Sequence, residues 1–157
     1  MSKTKETSFV SDALRLMLIT VIAGLLLGVV YTVTYEPIQA AQNATTIAAY
    51  KQVFPDAADF QENPDGAALI EANAAPLAEQ GFGNVLIDKV VNAVDANGQV
   101  VGHIINASSK DGYGGLVSIS VGIQADNQTV NGIAFLSISE SAGLGMNARD
   151  TDWCKQF

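Results

Sequence analysis

From Leu16 to Tyr35 this chain runs for twenty consecutive residues without a charge, LMLITVIAGLLLGVVYTVTY. At about 1.5 Å per residue, a helix of that length reaches roughly 30 Å, the thickness of a bilayer's hydrocarbon core. The stretch exceeds the apolar core of a signal peptide, and Glu36-Pro37 follows it in place of an Ala-x-Ala cleavage pattern. A core helix of a soluble protein would be shorter and amphipathic. The reading is therefore a transmembrane helix over residues 13–35. Thr20, Thr32 and Thr34 are tolerable in lipid because their hydroxyls can bond back to their own helix. Gly24 and Gly28 make a small-xxx-small pair, which fits a helix-docking face and ordinary glycine usage equally well.

The flanks give an orientation. Lys3, Lys5 and Arg15 precede the stretch; Glu36 follows it, and the next cation is Lys51. Basic flanks stay on the cytoplasmic side, so residues 1–12 are expected inside and residues 36–157 outside. Of the eight Lys and Arg and sixteen Asp and Glu, five and fourteen fall in the outer part, a net charge of −9 there. That acidity argues against a nucleic-acid partner, since phosphate binding needs clustered cations. Apolar residues make up 48% of the chain, which excludes wholesale disorder. One cysteine, Cys154, forms no internal disulfide, and a single His103 excludes two-histidine zinc motifs, so no metal site is expected.

Beyond the anchor, residues 38–53 are rich in helix formers, with Ile47, Tyr50, Val53 and Phe54 at helical spacing, and Phe54-Pro55 ends that helix. Pro64, Gly66, Pro76, Gly81 and Gly83 mark residues 56–84 as loops around a short helix near 66–80. Four strand-like runs follow. Residues 85–95 and 99–108 flank Asn97-Gly98, a strong hairpin signal. In 116–124, Val117, Ile119, Val121 and Ile123 alternate with Ser118, Ser120 and Gly122; the run 128–138 comes after a turn at Asp126-Asn127. Four antiparallel strands with helices before and after predict an α+β domain.

Two glycine-rich loops carry the candidate site. Lys110-Asp111-Gly112-Tyr113-Gly114-Gly115 lies between the second and third runs. It can bring bare backbone to a ligand, or simply make a tight crossover between strands. Ser139-Glu140-Ser141-Ala142-Gly143-Leu144-Gly145-Met146 follows the last run. Gly143 and Gly145 would present Leu144 on an open backbone, which suits contact with a planar ring and suits a plain loop as well.

Taken in order, the apolar anchor, Glu36-Pro37-Ile38, Ala40-Ala41-Gln42 and Val53-Phe54-Pro55-Asp56-Ala57 are followed by Gly112-Tyr113-Gly114-Gly115-Leu116 and Val121-Gly122-Ile123. Glu140-Ser141-Ala142-Gly143-Leu144-Gly145 then stands ahead of Trp153 and Gln156-Phe157. Over nearly its whole length the chain thus resembles the membrane-anchored FMN-binding domain family. That family includes the G subunits of Rnf electron-transport complexes and the C subunits of sodium-translocating NADH:quinone oxidoreductases; the modest spacing from span to Glu140 is closer to the Rnf subunits. The family's last loop reads Glu-Thr-Pro-Gly-Leu-Gly, so Ser141 and Ala142 replace Thr-Pro here. Family members also carry Ser-Gly-Ala-Thr-x-Thr downstream, whose last threonine holds FMN through a phosphoester. No such run occurs in this sequence, and the expectation is a natural polypeptide that continues past Phe157, because Gln156-Phe157 falls in what reads as a continuing helix.

The resemblance implies FMN as cofactor, with Glu140, Gly143, Leu144, Gly145, Tyr113 and Gly114 around it and no catalytic residue in the chain. Leu144 would lie near the isoalloxazine, Glu140 would fix the loop, and Tyr113 would stack or pack. It implies an electron-relay flavoprotein subunit of an ion-translocating ferredoxin:NAD+ oxidoreductase in a bacterial or archaeal plasma membrane. Its partners would be the complex's other membrane and peripheral subunits and lipid. Two other readings stay open: a non-redox single-pass scaffold, and a stand-alone anchored flavoprotein. Outside the loops, His103 reads as a packed or surface residue, Cys154 as a small buried side chain, and Asp150 and Asp152 as helix-start residues. Asn43, Asn106 and Asn127 head chance glycosylation triplets.

Overall fold

A computed structural model describes residues 3–157; Met1 and Ser2, the first residues of the expected cytoplasmic segment, lie outside the described residues. The chain divides into two compact units, 1–43 and 44–157. Helix α1 (Lys3–Val53) contributes to both.

In the first unit, residues 12–43 are exposed all round. A helix apolar on every face, with none of its apolar stretch buried, is long and apolar enough to cross a membrane, and it is not a core helix. The threonines bond as expected: Thr20 Oγ1 donates to Met17 O (2.8 Å), Thr32 Oγ1 to Gly28 O (2.8 Å) and Thr34 Oγ1 to Val30 O (2.7 Å). The sequence pattern ends the span at Tyr35 and sets residues 38–53 apart as a helix of their own. The structure carries the helix through Pro37. Proline lacks only its own N–H, so the Val33 carbonyl loses a partner while the flanking turns keep theirs.

The second unit is a five-stranded antiparallel sheet in sequential order. Its strands are β1 (Asp59–Glu62), β2 (Val85–Val94), β3 (Val100–Gly112), β4 (Gly115–Gln124) and β5 (Val130–Ile138). Helix α2 (Gly66–Glu79) packs on β2. A five-residue 3₁₀ turn (Gly145–Arg149) and α3 (Thr151–Cys154) follow β5. The α+β expectation holds, with one strand more than the four expected. α3 stops at Cys154, short of the continuing helix expected through Gln156-Phe157.

The turns form for local reasons. Gly98 takes a left-handed φ of 78°, and Asp95 Oδ1 accepts the N–H groups of Asn97 and Gln99. Asn127 is left-handed at φ 57°, and Asp126 accepts from Gln128 and Thr129.

The core sits where the last turns of α1 meet one sheet face. Ala49, Tyr50, Val53 and Phe54 bury against Val91, Ala93, Ile104 and Ala134. Ile47, expected on that face, is exposed. Burial contributes about 1.5–3 kcal/mol for each large apolar side chain. The face of β4 that receives α1 is the small one: Ser120 and Gly122 are buried, while Val117, Ile119, Val121 and Ile123 are half-exposed on the other. Close approach demands it, since a Cβ on Gly122 would strike Val53 Cγ1. The polar groups trapped there satisfy one another. Ser120 Oγ donates to Asn106 Oδ1 (2.8 Å), and Asn106 Nδ2 donates to the Tyr50 hydroxyl (2.6 Å). Asn131 Nδ2 donates to Val53 O, one of the carbonyls a helix end leaves unpaired.

Candidate functional site

In a sheet of sequential antiparallel strands, the segment entering β2, the β3–β4 turn and the segment leaving β5 all fall at one end. The register places Val85 opposite Ser109, Gly112 opposite Gly115 and Val117 opposite Ile138. Both glycine-rich loops singled out in the sequence therefore meet there.

The first is tighter than expected. Lys110 and Asp111 belong to β3, and Gly112 pairs with Gly115, so Tyr113-Gly114 alone makes the turn. A two-residue connection is the commonest hairpin link. It leaves Tyr113 96% exposed. Tyr113 is thus a presented side chain, not a packed one.

The second loop is held against that turn by Glu140. The Gly114 N–H points at the Glu140 carboxylate, 3.2 Å from each oxygen. A Cβ on Gly114 would strike Ser139 O, and one on Gly145 would come within 2.6 Å of Glu140 Cβ. Gly114 and Gly145 are bare because the two loops and the Glu140 side chain occupy the space a side chain would need. The Glu140 carboxylate therefore ties its loop to the hairpin turn. Gly143 is left-handed (φ 75°), Leu144 N–H and Met146 N–H return to Ser141 O, and Asn147 Nδ2 donates to Gly143 O. With this bonding the loop closes with Ser141-Ala142 in it, and Leu144 stands 75% exposed.

A second carboxylate does parallel work. Asp111 Oδ2 accepts the Asn84 N–H and Oδ1 accepts Asn84 Nδ2, both at 2.6 Å. Those bonds, the backbone one foremost, hold the Asp111 carboxyl below the usual carboxylate range. The sequence assigns Asp111 no role. The signal available was an acid inside a glycine-rich turn.

An isoalloxazine ring asks for apolar planar contact, and its phosphate asks for cations or free N–H donors. The rim offers Tyr113 and Leu144 to a ring. Across 81–84, 110–116 and 139–146, Lys110 is the one cation, so this donor set suits the ring end and not the phosphate end.

The other singled-out residues lie away from this rim. His103 is half-buried, its Nδ1 2.9 Å from Asn92 Oδ1, which also accepts from Asn63 Nδ2. Cys154 is buried, and burial with the nearby Asp150 charge pushes its thiol up. Asp150 Oδ1 accepts the Asp152 N–H at the start of α3.

No protein-family model matches the chain, and no solved structure matches it. Curated relatives do. The G subunit of the ion-translocating oxidoreductase complex of Methanosarcina acetivorans is 27% identical over 157 residues, covering all of this chain and 76% of the relative. The G subunit of the Na(+)-translocating ferredoxin:NAD(+) oxidoreductase complex of Acetobacterium woodii is 31% identical over 144 residues, 92% of this chain and 66% of the relative. The corresponding G subunit of Aliivibrio fischeri is 29% identical over 153 residues, 96% of this chain and 69% of the relative. The likeness thus runs through anchor, sheet and both loops, and the chain belongs to the family of G subunits of ion-translocating (Rnf) oxidoreductase complexes.

Proposed function

We propose that this chain is an FMN-carrying electron-relay subunit of an ion-translocating ferredoxin:NAD+ oxidoreductase, anchored by α1 with its sheet domain outside the cytoplasm. The observation that carries this reading is the rim. Two loops locked through Gly114 and Glu140 present Tyr113 and Leu144 to solvent. Both side chains are free to meet a ring, and the tie between their loops keeps them in place for it. Bound flavin accepts two electrons and releases them singly. The chain's own residues would do the placing: Tyr113 and Leu144 contact the ring, while Glu140 holds both to one geometry. Anchorage by α1 keeps the site at the membrane, where the complex's other subunits are its partners.

The test is the intact mass and visible spectrum of the natural polypeptide. A mass excess of one FMN with flavin absorbance supports the relay. A flavin-free polypeptide purified with its partner subunits overturns it in favour of a scaffold.

A further inference from the structure

A third exposed apolar side chain, Phe82, lies on a loop tied to the same hairpin. Gly81-Phe82-Gly83 repeats the Gly-X-Gly pattern of Gly143-Leu144-Gly145, with Gly81 and Gly83 left-handed at φ 72° and 79°. Phe82 is 61% exposed. The parallel extends to the ties. Glu140 holds the Leu144 loop to the hairpin through Gly114 N–H; Asp111, next to the turn, holds the Phe82 loop through Asn84 N–H. A Cβ on Gly83 would collide with Asp111 Oδ2, so this loop too is bare where it meets its carboxylate.

We propose that Phe82 is a ring-contact residue, the third side of an aromatic and apolar platform with Tyr113 and Leu144 that takes a planar heteroaromatic ring. This rests on the flavin reading above and names a contact that the resemblance did not supply. The two rim carboxylates are engaged on backbone N–H groups, and apart from Lys110 the large side chains presented are aromatic and aliphatic. A lipid surface is the poorer occupant, because the outer part's net charge of −9 opposes approach to anionic headgroups. The isoalloxazine ring is itself neutral, and the charge of FMN lies on the phosphate at the far end of its ribityl chain.

The experiment titrates the detergent-solubilised chain with FMN and follows quenching of flavin fluorescence. The variants Phe82→Ala, Phe82→Tyr and Tyr113→Ala all change exposed side chains. Phe82→Ala is expected to raise Kd about tenfold, the scale of losing one ring-on-ring stack, and Phe82→Tyr to leave it within about twofold. Wild-type affinity in Phe82→Ala beside weakened binding in Tyr113→Ala would overturn the role of Phe82 while leaving the rim intact. Unquenched FMN with the wild-type chain at millimolar ligand would overturn the platform itself. The intact-mass measurement on the natural polypeptide decides the flavin reading separately.

Discussion

Two carboxylates, Asp111 and Glu140, define the candidate site by what they accept. Each takes a backbone N–H from a neighbouring segment. Asp111 offers the cleaner test. Its carboxyl is held below the ordinary aspartate range by Asn84, so the folded state binds this proton less readily than the unfolded chain does. The resulting stabilisation is complete above the unfolded value and is lost as pH falls through the lower folded one. Asp95 and Asp126 are depressed in the same sense by their turns and add to the same acid limb. In Asp111→Asn, urea midpoints measured from pH 6 down to pH 2 should therefore fall less steeply than in wild type. Parallel slopes would remove Asp111 from the acid sensitivity. Glu140 and Gly143-Leu144-Gly145 are legible in the sequence because they form one motif. Asp111 and Asn84 are not, since 27 residues separate them and only the sheet's register joins them.

At the scale of elements, strands β2 to β5 can be read because turn chemistry punctuates them: Asn97-Gly98 and Asp126-Asn127 both sit at real reversals. Strand β1 cannot. Its four residues, DFQE, contribute only Phe60 to the core edge and carry no alternation of their own. Helix α1 hides its continuity behind Pro37, a residue that weighs against a helix in sequence and here removes one bond. The docking of α1 on β4 is hidden for a different reason. The stripe Val117, Ile119, Val121, Ile123 attracts attention as the apolar face, yet the helix lands on Ser120 and Gly122, where small side chains let Val53 and Phe54 approach. Gly122→Ala should therefore cost about 1–3 kcal/mol through overpacking against Val53. Thermal unfolding followed by circular dichroism reads this as a lowered Tm. The double variant with Val53→Ala should recover part of the loss, because the two changes share one space. Purely additive losses would mean that the crowding is not at Val53.

At the scale of the whole molecule, charge and cysteine placement make orientation measurable. Lys3, Lys5 and Arg15 stand before the apolar stretch, and fourteen of the sixteen acids stand after it. By the positive-inside rule these cations would set the topology, with the acids on the outer surface having little influence on which side it takes. The only native thiol, Cys154, is buried and pushed up by desolvation and by Asp150, so little thiolate is available near neutrality and it contributes a low background. A single introduced thiol then reports the side of the membrane on which it lies. Gln128→Cys places one in the exposed β4–β5 turn, where the backbone N–H and not the side chain makes the bond to Asp126. In intact cells a membrane-impermeant maleimide should label Gln128→Cys as fully as it does after lysis, whereas Thr4→Cys, before the span, should label only after lysis. The reverse pattern would put the sheet domain and its rim in the cytoplasm. The proposed relay would then have to draw on partners on that side, and the rim would face soluble donors directly.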